Sequence, residues 1–458
     1  MGPSEIEMIE PNSGKELLYR IFNRQIVERP CWILYSGMHA ASLLGYDSFE
    51  MLRDEEKLLA ALLAAHKLYS PDGMPIIFDL QLEAEILGCE LAWDSKLVPI
   101  VKTHPLEATK TFFPPIPRQD QGRLPLILNV TKKLKNLIGK RTALYGLVTG
   151  PLTLAFQLRG MLIFMDMFED ESYFIKLINY CTEVCTQIAD YYISVGVDVI
   201  GIVDPLISQI TPDIFSKFLS HEFTQLFSNL RSRNMFSSLI VCGNASGNIE
   251  SMAKTYPDCI SVDGSINIAE IKYVSKKYNT IFSGNIQVGS TLIFGNQRDN
   301  HKYAIELIEE MGYQDFILAP GCDLPYDVPR ENIIGLSQVA QNFAAVKLFI
   351  LEYGLIKKNS KTKREKDPSK IIVEIFAFNP YKFSFRNQIL DTIRVFSEQL
   401  NVPLEVIEQN LSLNKSIAEF KNYELKNIPS VLINGVLCYD ATSFDQEKLH
   451  LQLRKIFS

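Results

Sequence analysis

The sequence lacks any long, uninterrupted apolar run. No window approaches the roughly 20 consecutive apolar residues that a helix needs to span a bilayer. The N-terminal stretch MGPSEIEMIEPNSGKELLYR carries acidic residues where a signal peptide would be basic and then apolar. We therefore expect a cytoplasmic protein with no membrane contact, whose eight cysteines are reduced thiols.

An excess of positive charge is also missing, as are several familiar catalytic patterns. The formal net charge is −7, whereas a nucleic-acid-binding protein would present a basic face. No Walker motif, Ser-His-Asp pattern or glycine-rich dinucleotide loop occurs in the chain. The sequence therefore gives no support to nucleic-acid binding, phosphate transfer or nicotinamide chemistry.

What the sequence does contain is enough apolar material for a large core. Of its 458 residues, 47% are hydrophobic and 22% are charged, which is typical of a folded protein with one large and one small domain. The polar, strongly basic stretch at 357–369 is a linker by composition. It separates a predicted first domain, 1–356, from a predicted second domain, 370–458.

The first domain alternates short β-branched runs with longer amphipathic stretches. This alternation predicts parallel strands joined by helical crossovers, and eight strands favour an α/β fold of the (β/α)₈ TIM-barrel type. The predicted strands are 32–36, 75–80, 142–148, 197–203, 238–242, 258–262, 280–284 and 315–320. In such a barrel the chemistry lies at the carboxyl ends of the strands.

The second domain has a strand, helix, strand, helix order that ends in NIPSVLINGV. That segment resembles the late part of a thioredoxin-like domain, which implies a small α/β fold with a cis peptide bond before Pro429. Such domains usually carry Cys-x-x-Cys after the first strand, but here Tyr381 and Ser384 stand at those positions. Without a thiolate there is no disulfide exchange, so we expect a docking or structural module.

Two cysteines follow predicted barrel strands, which raises the possibility of a metal site. Cys242 and Cys322 come after the fifth and eighth strands, 80 residues apart, so only the fold can bring them into one mouth. Zinc accepts thiolates readily, and catalytic zinc has three protein ligands and an open position. Buried free cysteines remain the alternative.

Other potential metal ligands are expected to have structural roles. Cys181 and Cys185 lie four residues apart on a predicted helix, so we expect them to pack in the core. We expect His221 to lie on the surface.

Residues 35 to about 350 resemble the uroporphyrinogen decarboxylase superfamily, and within it the cobamide-dependent methyltransferase branch. The matching stretches are YSGMHAASLLGY, FDLQLEAEILGCEL, TGPLTLAFQLRG, VGVDVIGIVDP, VCGNASGNIESMA, ISVD, FSGNI and APGCDLPYDVPRENI. The decarboxylases carry arginines that pair with substrate carboxylates, and YSGMHAAS has none at that place. The resemblance therefore implies the methyltransferase branch, although Asp79 matches the central aspartate of the decarboxylases.

The methyltransferase branch holds zinc with His-x-Cys at the fifth strand and a cysteine after the last strand. This sequence supplies Cys242 and Cys322, but Ile240 occupies the place of the histidine. The resemblance then implies that a third zinc ligand comes from elsewhere, and Glu83 and His39 are the favoured candidates. Asp79 and Glu83 are the candidate catalytic residues, as ligand or acid.

The resemblance implies a methyltransferase that moves a methyl group between a small substrate and a separate corrinoid protein. The chain has no Asp-x-His corrinoid-binding motif, so the corrinoid is expected on a partner. Methoxylated compounds, methylamine, methanol and thiols are all open as substrates, and a homodimer is possible. The alternatives are a non-enzymatic corrinoid- or tetrapyrrole-binding or docking protein and a tetrapyrrole decarboxylase. The residues expected to line the pocket are Asp204, Asn244, Asp263 and Asn285.

Overall fold

A computed structural model describes residues 9–111, 113–356, 369–441 and 444–457. The strands, in chain order, are β1 Cys31–Trp32, β2 Gly73–Pro75, β3 Leu91–Ala92, β4 Ile100–Val101, β5 Ala143–Thr149, β6 Val199–Val203, β7 Phe236–Val241, β8 Cys259–Val262, β9 Ile281–Ile286, β10 Phe316–Pro320, β11 Ile371–Ala377, β12 Leu404–Asn410, β13 Ser430–Ile433 and β14 Val436–Asp440.

The helices before β9 are α1 Gly14–Phe22, α2 His39–Ser42, α3 Ser48–Arg53, α4 Glu55–Tyr69, α5 Leu82–Ile86, α6 Leu124–Ile138, α7 Pro151–Arg159, α8 Leu162–Glu169, α9 Glu171–Ser194, α10 Pro212–Phe218, α11 Ser220–Ser232, α12 Ile249–Ala253 and α13 Ile268–Tyr278. The later helices are α14 Gln297–Met311, α15 Arg330–Gln341, α16 Phe343–Leu355, α17 Arg386–Leu400, α18 Asn414–Asn422 and α19 Gln446–Phe457.

Eight strands form a parallel sheet in the order β1-β10-β9-β8-β7-β6-β5-β2. Its two edge strands meet through a parallel bridge between Ile33 and Gly73, and the Leu34 N–H donates to the Gly73 carbonyl at 3.1 Å. The sheet is thereby closed into a barrel, because pairing continues from β1 back to β2. The predicted (β/α)₈ fold is confirmed.

The barrel interior is filled by alternate side chains of its strands. Among them are Tyr145, Leu147, Val203 and Ile240. Tyr35 and Phe78, from the segments after β1 and β2, belong to the same cluster, and Cys242 packs against it. Strands that are buried on both faces appear in the sequence as continuous apolar runs, which explains why six of the eight were predicted close to their observed bounds.

The first two barrel strands differ from the predicted ones. The predicted run 75–80 contributes only Pro75 to β2, which begins earlier, at Gly73. Ile76 donates one more bond to the Tyr145 carbonyl, and the backbone then turns away, with the Gln81 N–H donating to Asp79. The residues after β2 therefore form the mouth of the barrel and not its wall.

The C-terminal part contains a four-stranded sheet in the order β12-β11-β13-β14. β11 pairs parallel with β12 and antiparallel with β13, and α17 and α19 supply buried side chains to the same core. The predicted cis peptide bond before Pro429 is confirmed. The small α/β domain is therefore present, and its thioredoxin-like character stays a prediction.

The chain divides into two compact units, and each contains two segments. The first unit comprises the chain up to Val288 together with Leu307–Val328. The second unit comprises Gly289–Glu306 together with the chain from Pro329 onward. The predicted linker 357–369 lies outside the described residues except for Ser369. The predicted domain boundaries therefore stay predictions.

In the described part of the chain, no single helix has the length and apolar composition to cross a membrane. The pair α15 and α16 meets both criteria only when the two helices are counted together, and the chain bends by 117° between them.

Candidate functional site

Two cysteines, each just after a barrel strand, lie next to each other at the mouth of the barrel. Cys242 follows β7 directly and Cys322 lies two residues beyond β10, with β8 and β9 between these strands in the sheet. Their Cα atoms are 5.6 Å apart and their sulfur atoms are paired as a disulfide. The expectation of eight free thiols is corrected for this pair, because the separation of 80 residues concealed a contact that only barrel closure creates.

Ile240 faces the barrel interior, as Cys242 does. Residues two apart on a strand point to the same side, and Ile240 is 1% exposed within the interior cluster. Its side chain and that of Leu147 fill the space over Gly201, which has no side chain of its own. The position that carries a histidine in the resembling branch is therefore an aliphatic packing position here.

Glu83 lies on α5 and is buried at 1% exposure. Its Oε1 accepts from the Thr149 N–H at 3.1 Å, and its Oε2 lies 2.8 Å from Thr149 Oγ1. The same hydroxyl is 2.9 Å from the Leu80 carbonyl. A hydroxyl has one proton, so if it donates to Leu80, a protonated Glu83 donates to Thr149.

Burial acts on Glu83 in the same direction as this hydrogen-bond pattern. Loss of solvation raises the pKa of Glu83 to about 7, against the lowering effect of the hydrogen bonds from Thr149. Glu83 therefore titrates near neutral pH, the range in which a proton-transfer group is effective.

Asp79 is paired with a residue that the sequence analysis missed. Its Oδ2 accepts from Arg123 Nη1 at 2.5 Å and its Oδ1 accepts from the Gln81 N–H at 2.9 Å. Arg123 Nε also donates to Glu85 at 2.6 Å, and both members of the Asp79–Arg123 pair are buried. Because Asp79 and Arg123 are 44 residues apart, no local pattern could have indicated the pair.

His39 is completely buried at the start of α2. Its Nε2 lies 2.6 Å from the Tyr69 hydroxyl, so this nitrogen is engaged within the fold. The loop before it contacts the segment after β10, because the His39 N–H donates to the Leu324 carbonyl at 3.2 Å. His39 therefore helps to hold the loops at the mouth in place.

A catalytic zinc ion at the mouth would need three protein ligands. Cys242 and Cys322 supply two sulfur atoms, but Glu83 and His39 are held by Thr149 and Tyr69. Across residues 9–111, 113–356, 369–441 and 444–457, no three His, Cys, Asp or Glu side chains are grouped as metal ligands. These residues do not fit a zinc ion that requires three protein ligands.

Asp204 and Asn285 are buried and committed to the local fold. Asp204 accepts from the Leu152 and Thr153 N–H groups and from the Thr153 hydroxyl, so it caps the start of α7. Burial raises the pKa of Asp204 to about 6. Asn285 donates to the Ile266 carbonyl at 2.9 Å.

Asn244 and Asp263 lie in the turns after β7 and β8. Asn244 is exposed and accepts from the Ser246 hydroxyl at 2.7 Å, whereas Asp263 is half-buried and accepts from the Ser265 N–H at 2.8 Å. These two side chains order loops at the mouth and remain open to a ligand from solvent.

An acidic side chain stands next to the cysteine pair. Asp323 Oδ1 lies 3.1 Å from Cys322 Sγ, and burial raises the pKa of Asp323 to about 6. Gly37 packs against the Asp323 side chain so closely that a Cβ at residue 37 would meet Oδ2 at 3.0 Å. Gly37 also has a φ of +47°, so a glycine is favoured there for two reasons.

A narrow recess opens beside this loop. Its volume is only about 10 Å³, and its lining is largely apolar, with Met38, Ile77 and Phe78 among the contributors and Ser36 and Gly37 as its more polar residues. A recess of this volume has room for about one water molecule.

Three other predicted positions have structural roles. Cys181 and Cys185 are fully buried in α9, which confirms core packing. His221 is exposed on α11 and lies 2.9 Å from Gln225, as expected for a surface histidine.

Residues 13–343 match the family model described as uroporphyrinogen decarboxylase (URO-D). A methylcobamide:CoM methyltransferase MtbA from Methanosarcina acetivorans is 26% identical over 341 residues, which cover 72% of this chain and 98% of that protein. A uroporphyrinogen decarboxylase from Nostoc punctiforme is 23% identical over 348 residues, covering 72% and 97%. Both names are those of enzymes.

A solved structure described as a methyltransferase from Methanosarcina mazei has a similar fold. It aligns with a TM-score of 0.66 and 24% identity, covering 72% of this chain and 99% of that one. The match supports the barrel architecture of the first part of the chain.

Proposed function

The chain belongs to the uroporphyrinogen decarboxylase (URO-D) family, and from this premise we propose that it is a methyltransferase that moves a methyl group between a small substrate and a corrinoid carried by a separate protein. The observation that carries the proposal is the meeting of Cys242 and Cys322 at the barrel mouth, where the resembling branch has its two cysteines. Relatives named methylcobamide:CoM methyltransferases point to the same chemistry.

The corrinoid would supply the methyl-carrying cobalt, and the protein would supply placement. The apolar side chains of Met38, Ile77 and Phe78 would keep water away from a small methyl-bearing group bound at the mouth. Asn244 and Asp263, in the turns of the mouth, are placed to contact the partner's corrinoid or the polar part of the substrate.

Glu83 is our candidate for the proton-transfer group of the reaction. Burial raises the pKa of its carboxyl to about 7, so near neutral pH it can accept a proton in one direction of methyl transfer and donate it in the other. Zinc assistance was part of the sequence-based hypothesis, but no group of three metal-ligand side chains is present within the described residues. We therefore assign no step to zinc.

Decarboxylation of a tetrapyrrole is the weaker alternative. The carboxylate of Asp79 is already paired with Arg123 and with the Gln81 N–H, so it is not available to pyrrole N–H groups. A non-enzymatic corrinoid-binding protein would use the same mouth without turnover. Both alternatives are distinguishable by assays with methylcobalamin and with a porphyrinogen.

The experiment mixes the reduced protein with methylcobalamin and a panel of thiols that includes coenzyme M, and follows corrinoid demethylation by absorbance. We expect protein-dependent demethylation and a rate that falls at least about tenfold in Glu83→Gln. The thiol loses a proton when it accepts the methyl group, a glutamine cannot take up that proton, and general acid–base catalysis typically contributes about that much or more. Glu90→Gln, at an exposed position, is the matched control and keeps the parent rate.

Binding of methylcobalamin without turnover, in either direction and with every thiol and methyl donor tested, would instead support the binding-protein alternative. Turnover of a porphyrinogen with no corrinoid reaction would support the decarboxylase.

A further inference from the structure

The eight cysteines fall into two groups by environment. Cys242 and Cys322 are half-buried and adjacent at the mouth. The other six are unpaired, and five of them are buried in the core. Burial raises the pKa of core thiols such as Cys89, to about 12, so they stay protonated and unreactive. Thiol chemistry in this chain is therefore concentrated at one place.

The approach of the two mouth cysteines is set by the barrel framework. Val241, which precedes Cys242, pairs with Val262 on β8. On the other side, the Gly321 N–H donates to the Ile286 carbonyl at 2.9 Å and fixes the residue before Cys322. The Cα separation of 5.6 Å lies in the middle of the range that disulfides require, so no backbone movement is needed to close the bond.

The metal role predicted for the pair lacks its predicted third ligand. Ile240 offers no donor atom, Glu83 is held by Thr149, and His39 is held by Tyr69. Asp323 Oδ1 lies 3.1 Å from Cys322 Sγ, but no three His, Cys, Asp or Glu side chains of the described residues are grouped as metal ligands. Two adjacent thiols without such a ligand set can be oxidised to a disulfide.

We propose that Cys242 and Cys322 form a reversible thiol–disulfide site that exchanges two electrons with low-molecular-weight thiols and disulfides. The inference goes beyond the methyltransferase proposal and holds whether or not the chain transfers methyl groups. It also gives the mouth two states, one with two free thiols and one with none.

The chemistry balances without a further reagent. One cysteine, as its thiolate, attacks a small disulfide RS–SR, which forms a mixed disulfide and releases one RS⁻. The second cysteine, as its thiolate, then attacks the protein sulfur of the mixed disulfide and releases the other RS⁻. The two protein thiol protons end on the two RSH products, the protein is oxidised by two electrons, and RS–SR is reduced.

The test uses full-length protein that is reduced, treated with EDTA and equilibrated with mixtures of reduced and oxidised glutathione. The reaction is quenched with acid, and free thiols are alkylated with N-ethylmaleimide under denaturing conditions and counted by intact mass. We expect the count to fall from eight to six in one transition, because two of the eight cysteines pair. Proteolysis should then yield one linked peptide pair that contains Cys242 and Cys322.

Variants identify the residues involved. Cys242→Ser should lose the two-thiol transition and leave Cys322 with one bound glutathione. Cys181→Ser removes a buried core cysteine, so it is the matched control and should keep the transition at the same glutathione ratio.

Three outcomes would overturn the proposal. The first is that all eight cysteines of the parent protein are still free, and are therefore alkylated, at the most oxidising glutathione ratio. The second is that Cys242 and Cys322 take up glutathione independently. The third is that a zinc ion survives EDTA treatment and protects both thiols, which would identify a metal site. Because the parent protein alone gives each of these results, poor folding of a variant does not affect the test.

Discussion

At the scale of single residues, the pairing of Asp79 with Arg123 has a measurable consequence. Asp79→Asn leaves the buried Arg123 guanidinium with Glu85 as its remaining carboxylate partner, so we expect the free energy of unfolding to fall by about 3 kcal/mol. Urea denaturation measures the change. Asp120→Asn is the control, since Asp120 pairs with Arg118 in full solvent exposure and its loss should be barely detectable. Equal effects for the two variants would contradict the structural role of Asp79.

Glu83 should make stability depend on pH. Its pKa is raised from 4.5 to about 7, so the folded protein binds the proton more tightly than the unfolded chain does. The free energy of unfolding therefore decreases as the pH rises from about 4.5 to about 7, by an amount on the order of 3 kcal/mol, and this contribution is constant outside that window.

Glu83→Gln should remove this pH dependence. A glutamine accepts from the Thr149 N–H and donates to the Thr149 hydroxyl, as the protonated acid does. Urea unfolding at about pH 4.5, 6 and 8 should show the variant gaining stability relative to the parent as the pH rises. A constant difference across this range would mean that Glu83 is ionised in the folded protein throughout.

At the scale of elements, the sequence predicted the barrel strands better than the site. Strands such as β6 and β9 are buried on both faces and are visible as apolar runs. The partners of the site residues were hidden, because Asp79 and Arg123 are 44 residues apart and Glu83 and Thr149 are 66 apart. Such pairs depend on which strand ends become neighbours, and a single sequence does not contain that information.

The alternation along β7 makes a specific prediction for position 240. Because Ile240 shares its inward side with Cys242, Ile240→His places a ring nitrogen on the side of the cysteine pair and supplies the missing third donor. We expect reduced Ile240→His to retain about one zinc ion per chain through gel filtration, and the reduced parent to retain much less. A competing chromophoric chelator measures the affinity.

Leu239→His is the matched control for this change. Leu239 is the next residue on β7 and is also buried, but it lies on the opposite face of the strand. It should lower stability without raising zinc retention. Equal zinc retention in both histidine variants would show that the mouth geometry does not select position 240.

At the scale of the whole molecule, the family match and the compact units do not end at the same residue. The URO-D match runs to residue 343, whereas the second unit already includes Gln297 and the chain from Pro329 onward. Within this unit Gln297 donates to the Ile428 carbonyl and accepts from its N–H, both at 2.7 Å. Segments on both sides of the predicted linker therefore share one set of contacts, which compositional analysis does not detect.

Phe349 is the aromatic centre of these contacts, and its removal should affect the second unit alone. Its buried ring packs edge-on against Phe378 and Phe420, so Phe349→Ala should lower the free energy of unfolding of this unit by about 3–5 kcal/mol. Leu348→Ala, at a partly exposed neighbouring position, is the control and should lower it far less.

Both tryptophans, Trp32 and Trp93, belong to the first unit, so tryptophan fluorescence reports on that unit and far-UV circular dichroism reports on both units. In urea, Phe349→Ala should show an early transition by circular dichroism that fluorescence does not follow. If both signals shift together, the two units unfold as one cooperative structure.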